Sequence, residues 1–175
     1  DIFTLKRMEV DEEELWEAVS EVAQTALDAF VSMKETEGEK LKEDVLSRRS
    51  TIEKMLSQVE ERAPKLRAEY YDRLYQKLKE VLEDKNIDES RLVTEAGIFA
   101  DKVAIDEETV RLRSHLHQLG ELLEGSEPVG RKLDFLVQEM NREVNTIGSK
   151  AQDVAIARLV VDMKAEIEKI REQIQ

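Results

Sequence analysis

Helix breakers are scarce in this chain: its 175 residues include six glycines and two prolines, so a stretch with helical periodicity has little to stop it. The abundant residues, Glu, Leu, Lys, Val, Ala and Arg, are good or tolerated helix formers. Strand-like alternation is almost absent. An all-α fold follows, and an aromatic content of only 5% suits elongated helices better than a globule.

The periodicity sets the expected order of elements. Asp11-Glu12-Glu13-Glu14 places negative charge where a helix N-terminus favours it, and Leu15, Val19, Val22, Ala26, Leu27 and Phe30 follow at helical spacing. Trp16 fits this apolar stripe and is expected in its core. The pattern continues through Leu41, Val45, Ile52, Met55 and Val59 until Pro64, which is expected to end the helix. Leu66, Tyr70, Leu74 and Leu78 then keep a heptad-like seam, predicting an antiparallel return. Residues 1–88 are therefore expected to form a long helical hairpin closing on a loop at 84–88. Residues 89–175 are expected to form a smaller helical bundle. Its first helix runs from about Glu89 to Val103. Asp106 serves as N-cap of the next, whose seam is Leu112, Leu116, Leu119 and Leu123. Gly125-Ser126-Glu127-Pro128 breaks it, and one long C-terminal helix runs from about Val129 to Gln175.

Several function classes drop out. With no cysteine there is no disulfide framework, thiolate nucleophile or Cys-ligated zinc. No apolar run approaches the roughly 18 residues of a membrane span, and no signal-peptide pattern opens the chain, so a cytoplasmic protein without membrane contact is expected. Asp1 in place of an initiator Met predicts that a further segment precedes it. The net charge of −13 argues against a generic nucleic-acid surface, which needs clustered Lys and Arg. The acidity is uneven: residues 1–60 hold 16 acids against 8 bases, whereas residues 129–150 hold three acids against four bases.

That less acidic stretch is also unusual in kind. On a helix of about 100° per residue, Leu133, Leu136, Val137, Met140, Val144 and Ile147 share one face. Arg131, Asp134, Gln138, Arg142, Asn145 and Ser149 share the other, with Glu139 and Glu143 on the flank. A solvated face is usually built from Lys and Glu, yet no Lys occurs from Leu133 to Ser149. Asn, Ser, Thr and Asp compete for backbone partners in a helix, so something must compensate. An inter-helix polar network and a ligand or catalytic surface both satisfy that requirement.

The run Gly130-Arg131-Lys132-Leu133-Asp134-Phe135-Leu136-Val137-Gln138-Glu139-Met140-Asn141-Arg142-Glu143-Val144-Asn145-Thr146-Ile147-Gly148-Ser149-Lys150 resembles the signature of the YicC family of bacterial endoribonucleases. Asp106-Glu107-Glu108 with Arg111-Leu112 and Ser114-His115, Glu35-Thr36-Glu37-Gly38, and the ending Ile170-Arg171-Glu172-Gln173-Ile174-Gln175 extend the resemblance over essentially the whole chain. It implies a cytoplasmic homo-oligomer, a hexamer, that cleaves single-stranded RNA, small regulatory RNA among it, with a divalent cation such as Mn or Mg. It also implies an N-terminal domain in front of Asp1.

Such a nuclease needs carboxylates for the ion and a group to generate the nucleophile. Glu139 and Glu143 are four residues apart, share a face and can hold one ion between them. Asp134 lies about 140° away from Glu139, so further ligands must come from elsewhere. Glu108 is the metal candidate on the preceding helix, which a short Gly-Pro turn can bring antiparallel. Arg131 and Arg142 are assigned to phosphate or transition-state charge, His115 to acid–base work or metal ligation, and Asp134 and Gln138 complete the candidate catalytic face. His115 also suits a packed position beside Leu112, Leu116 and Leu119. The competing function is a helical scaffold or oligomerisation module with no catalytic residues of its own.

Overall fold

A computed structural model describes residues 11–82, 89–125 and 127–174. The described residues form five helices, α1 (Glu12–Leu82), α2 (Glu89–Lys102), α3 (Asp106–Glu124), α4 (Gly130–Ala151) and α5 (Val154–Ile174), and no strand. The fold is all-α. The chain divides between Lys42 and Glu43 into two units. The loop expected at 84–88 lies outside the described residues.

In the first unit, α1 starts where the acidic run placed it. Asp11 Oδ1 accepts hydrogen bonds from the backbone N–H of Glu13 (3.0 Å) and Glu14 (3.4 Å), satisfying two of the amides that a helix start leaves without partners. The apolar stripe that follows is not a core. Trp16 is 70% exposed, and Leu15, Val19, Val22, Leu27 and Phe30 are also exposed, so the expectation of a buried Trp16 is corrected.

The second unit holds one continuous core. Val45, Ile52, Leu56, Val59, Ala63 and Leu66 recur at three-, four- and seven-residue steps along α1 and are buried among the inner residues of α3, α4 and α5. This seam explains why Pro64 fails to end the helix. Proline removes one backbone hydrogen bond and crowds the preceding turn, at a cost of about 3 kcal/mol. Burying each large apolar side chain of the seam contributes roughly 1.5–3 kcal/mol, and Ala63 and Leu66 stay in phase with Val59 across the proline. Pro64 itself faces solvent. The antiparallel return at this point is therefore overturned, and so is the hairpin. The seam's partner is the C-terminal bundle, tied to α1 by Arg48–Glu166 (3.0 Å), Arg62–Asp153 (3.0 Å) and Arg113–Glu60 (2.6 Å).

Two other local expectations need correction. Asp106 is not an N-cap: α3 begins at it, the cap position Ile105 makes no side-chain bond, and the Asp106 carboxylate pairs with Arg67 of α1. The long C-terminal helix is two helices. Gln152 takes the left-handed conformation (φ 44°) and ends α4. Asp153 Oδ1 then accepts the backbone N–H of Ile156 at 2.9 Å and starts α5. A non-glycine residue there costs about 1–2 kcal/mol. The fold-back offsets it by packing Val144, Ile147 and Ala151 of α4 with Ile156, Val160 and Met163 of α5. Gly148 permits the approach, since a Cβ there would lie 3.0 Å from Val160 Cγ1.

Candidate active site

The connection at 125–129 returns the chain so that α3 and α4 pack along their lengths, and their polar contacts run in opposite order, as antiparallel neighbours require. Glu108, Arg111 and His115 fall three and four residues apart on one stripe of α3; Glu139, Glu143 and Lys150 are four and seven apart on α4. Arg111 Nε donates to Glu143 Oε1 at 2.9 Å, and Lys150 Nζ donates to Glu108 Oε1 at 2.9 Å. At the end nearer the connection, His115, Glu139 and Glu143 each present a ligand atom, and the three atoms lie within 4.8 Å of one another. Among the described residues this is the one grouping of three or more such side chains able to hold a metal ion.

The cluster is half-sheltered. Glu143 is buried, while His115 and Glu139 are partly exposed. His115 Nδ1 is buried without a hydrogen-bond partner, an arrangement that leaves a strong polar atom unsatisfied unless a ligand meets it. Arg111 also contacts Glu107 (3.1 Å) and Glu108 (3.2 Å); Arg142 Nη1 stands 3.7 Å from Glu139 Oε2. These carboxylates hold the Arg111 guanidinium fully charged, Glu143 and Glu107 foremost. Burial pushes the Glu108 carboxyl upward, but its bonds to Lys150 and its own backbone amide, with the charges of Lys150 and Arg111, outweigh that and hold it below the usual range. Four carboxylates, Glu107, Glu108, Glu139 and Glu143, thus meet three cations, Arg111, Arg142 and Lys150, so the site is much closer to neutral than the chain, whose net charge is −13.

The candidate residues separate into four places. His115, Glu139 and Glu143 come together, with Arg142 beside Glu139. Glu108 is 3% exposed and engaged by Lys150 and Arg111, outside the three-residue cluster; its Oε2 is buried without a partner. Asp134 and Gln138 bond each other along α4 (2.9 Å) and are not in the cluster. Arg131 lines an open groove near the α3–α4 connection. The exposed face of α4 bonds largely within itself: Asn145 to Asn141, Thr146 to the Arg142 carbonyl, Ser149 to the Thr146 carbonyl. The inter-helix bonds belong to the flank, because the flank is what α4 turns toward α3. Arg111 and Lys150 had no assigned role, though their spacing from His115 and from Glu139 and Glu143 puts them on the same stripes.

Residues 59–175, the segment that carries every one of these side chains, match the family model described as Endoribonuclease YicC-like, C-terminal. The chain belongs to the YicC-like endoribonuclease family. Residues 1–43 match the model described as Endoribonuclease YicC-like, N-terminal region, ending where the structure divides its two units. A protein of Clostridioides difficile named probable endoribonuclease YicC is 43% identical over the whole of this chain and 60% of its own length. A protein of Haemophilus influenzae with the same name is 34% identical over 96% of this chain and 59% of its own length. The chain thus spans about three-fifths of the length of these curated relatives. No helix among the described residues is long and apolar enough to cross a membrane.

Proposed function

We propose that this chain carries the cleavage site of a metal-dependent endoribonuclease acting on single-stranded RNA, with His115, Glu139 and Glu143 as the ligands of a divalent cation. The observation that carries the reading is the convergence of these three side chains, whose ligand atoms lie within 4.8 Å of one another; that His115 Nδ1 is buried with no hydrogen-bond partner is a second, separate mark on the same side chain. The donor set fits such an ion. Two carboxylates suit Mg or Mn, and the imidazole favours Mn of the two. A bound cation there would supply Lewis-acid polarisation of a phosphoryl oxygen and lower the pKa of coordinated water.

The chain's own groups do the positioning. Arg111 holds Glu143 Oε1 at 2.9 Å, which restrains the orientation of that carboxylate. Arg142, 73% exposed at its side chain, reaches solvent beside Glu139, where its planar fork can take a phosphate. Glu108 and Lys150 brace the far end of the same seam. Asp134 and Gln138, paired on the outer face, serve as contacts for the RNA strand and not as ligands. The relatives' names support RNA as substrate. The family resemblance supports a cytoplasmic hexamer with small regulatory RNA among its targets, and the exposed apolar stripe of the first unit supports assembly.

One observation favours a structural reading: the Arg111–Glu143 and Lys150–Glu108 bonds join α3 to α4, as a scaffold's polar network would. Substituting His115→Ala or Glu139→Gln separates the two. Cleavage of a labelled single-stranded RNA in Mn is expected to fall at least a hundred-fold, on the order of the loss from removing one catalytic group, while circular dichroism melting and subunit number stay as in the parent protein. Loss of the assembly or of the melting transition with full cleavage per folded molecule would support the scaffold.

A further inference from the structure

The His115–Glu139–Glu143 cluster does not end the seam between α3 and α4. His115, Gln118 and Leu122 continue its stripe along α3 at three- and four-residue spacing, and Glu139, Phe135 and Arg131 continue it along α4. About one helical turn, roughly 5.4 Å, beyond the cluster they open into a groove of about 460 Å³, within the usual range for small-ligand sites. Its walls combine two chemistries. Phe135 is 59% exposed and lines it with Leu136 of α4 and Leu122 of α3, while Arg131 and Lys132 supply positive charge from the α4 wall. The opposing acid, Glu121, is 3.5 Å from His117 Nδ1 and so is turned toward that ring. Lys132 has only a long contact with Glu127, 3.9 Å, between two well-exposed side chains, which leaves the ammonium open to an anion.

We propose that this groove seats one unpaired nucleotide of the RNA strand, its base stacked on Phe135 and its phosphate held by Arg131 and Lys132. Every base offers a π-face to an aromatic side chain, so the subsite accepts any sequence but rejects paired bases, whose faces are covered. This ties the preference for single strands to a named residue, and it rests on the cluster being the cleavage site. The adjoining phosphodiester is then the one delivered to His115, Glu139 and Glu143. Phe135 is a positioning residue.

The test measures affinity apart from cleavage: fluorescence anisotropy of a short labelled unpaired RNA with chelator present. Phe135→Ala is expected to weaken binding about ten-fold, and Phe135→Tyr to retain it. Arg131→Ala with Lys132→Ala should lower the salt dependence by a slope of about 0.7 per charge removed. Replacing one base by an abasic residue should weaken binding to the parent protein but not further to Phe135→Ala, the mark of a shared interaction. Wild-type affinity in Phe135→Ala, or independent losses in that cycle, would overturn the proposal. A changed subunit number with unchanged affinity per chain would also overturn it, assigning the groove to a second copy. His115→Ala is expected to bind RNA normally without cutting it; if it cuts normally, the cleavage-site reading falls while the groove is still judged by the affinities.

Discussion

Replacing Lys150 by Met leaves the Glu108 carboxylate buried with fewer partners, and the consequence follows from its surroundings. Glu108 is 3% exposed. Its Oε1 accepts from Lys150 Nζ at 2.9 Å and Arg111 Nη2 at 3.2 Å, and its Oε2 has no partner. Hydrogen bonds to charged groups contribute about 1.5–3 kcal/mol, and breaking a buried pair costs more than making it gains. Two features moderate the loss: the Lys150 side chain is 37% exposed and screened by water, and Arg111 remains. Lys150→Met should therefore destabilise by about 2 kcal/mol, lowering the melting temperature by roughly 4–8 °C for a unit of this size. The loss should depend on pH. The folded-state pKa of Glu108 lies below its ordinary value, so its stabilisation is fully present above the unfolded carboxyl range, about 4.3, and is lost as pH falls through the folded value. Urea unfolding of both proteins at pH 7 and pH 3 measures this, and adding Glu108→Leu should recover much of the loss. A difference below about 0.5 kcal/mol at pH 7, or one equal at both pH values, would mean that the Glu108 carboxylate does not depend on Lys150.

Pro64→Ala should stabilise the protein by about 1–2 kcal/mol, the restored helical bond outweighing the greater freedom of the unfolded chain, with cleavage unchanged; the urea midpoint reports it. Asp153→Ala removes the cap on α5 and the partner of Arg62 and should cost about 1 kcal/mol at pH 7. The amide of Ile156 is the first cause of the lowered Asp153 pKa. The difference should therefore persist above the ordinary carboxyl range and vanish as pH falls through the folded value, which thermal unfolding across pH 2–7 can follow.

Much of this arrangement is legible in local periodicity. The acidic run at 11–14 starts α1, the Gly-Pro turn separates α3 from α4, and the four-residue spacing of Glu139 and Glu143 puts them on one stripe. What periodicity misses depends on tertiary packing. A proline reads as a stop until the seam on both sides is known to be buried, and the turn at Gln152 carries no glycine or proline because the α4–α5 core supports a strained residue there. The polar outer face of α4 singles out Arg131, Asp134, Gln138 and Arg142 in the sequence. The bonds between helices run along the flank instead, through Arg111 and Lys150, which become visible only when α3 is laid antiparallel beside it.

In the function proposed above, His115, Glu139 and Glu143 together hold one divalent cation. Pulsed electron paramagnetic resonance of the protein titrated with Mn tests it most directly, because a coordinated imidazole nitrogen couples to the metal's unpaired electrons. One Mn per chain with a nitrogen coupling, absent in His115→Ala and with weakened binding in Glu143→Gln, is the predicted result. Binding of equal strength in all three proteins with no nitrogen coupling would contradict the claim and place the ion elsewhere.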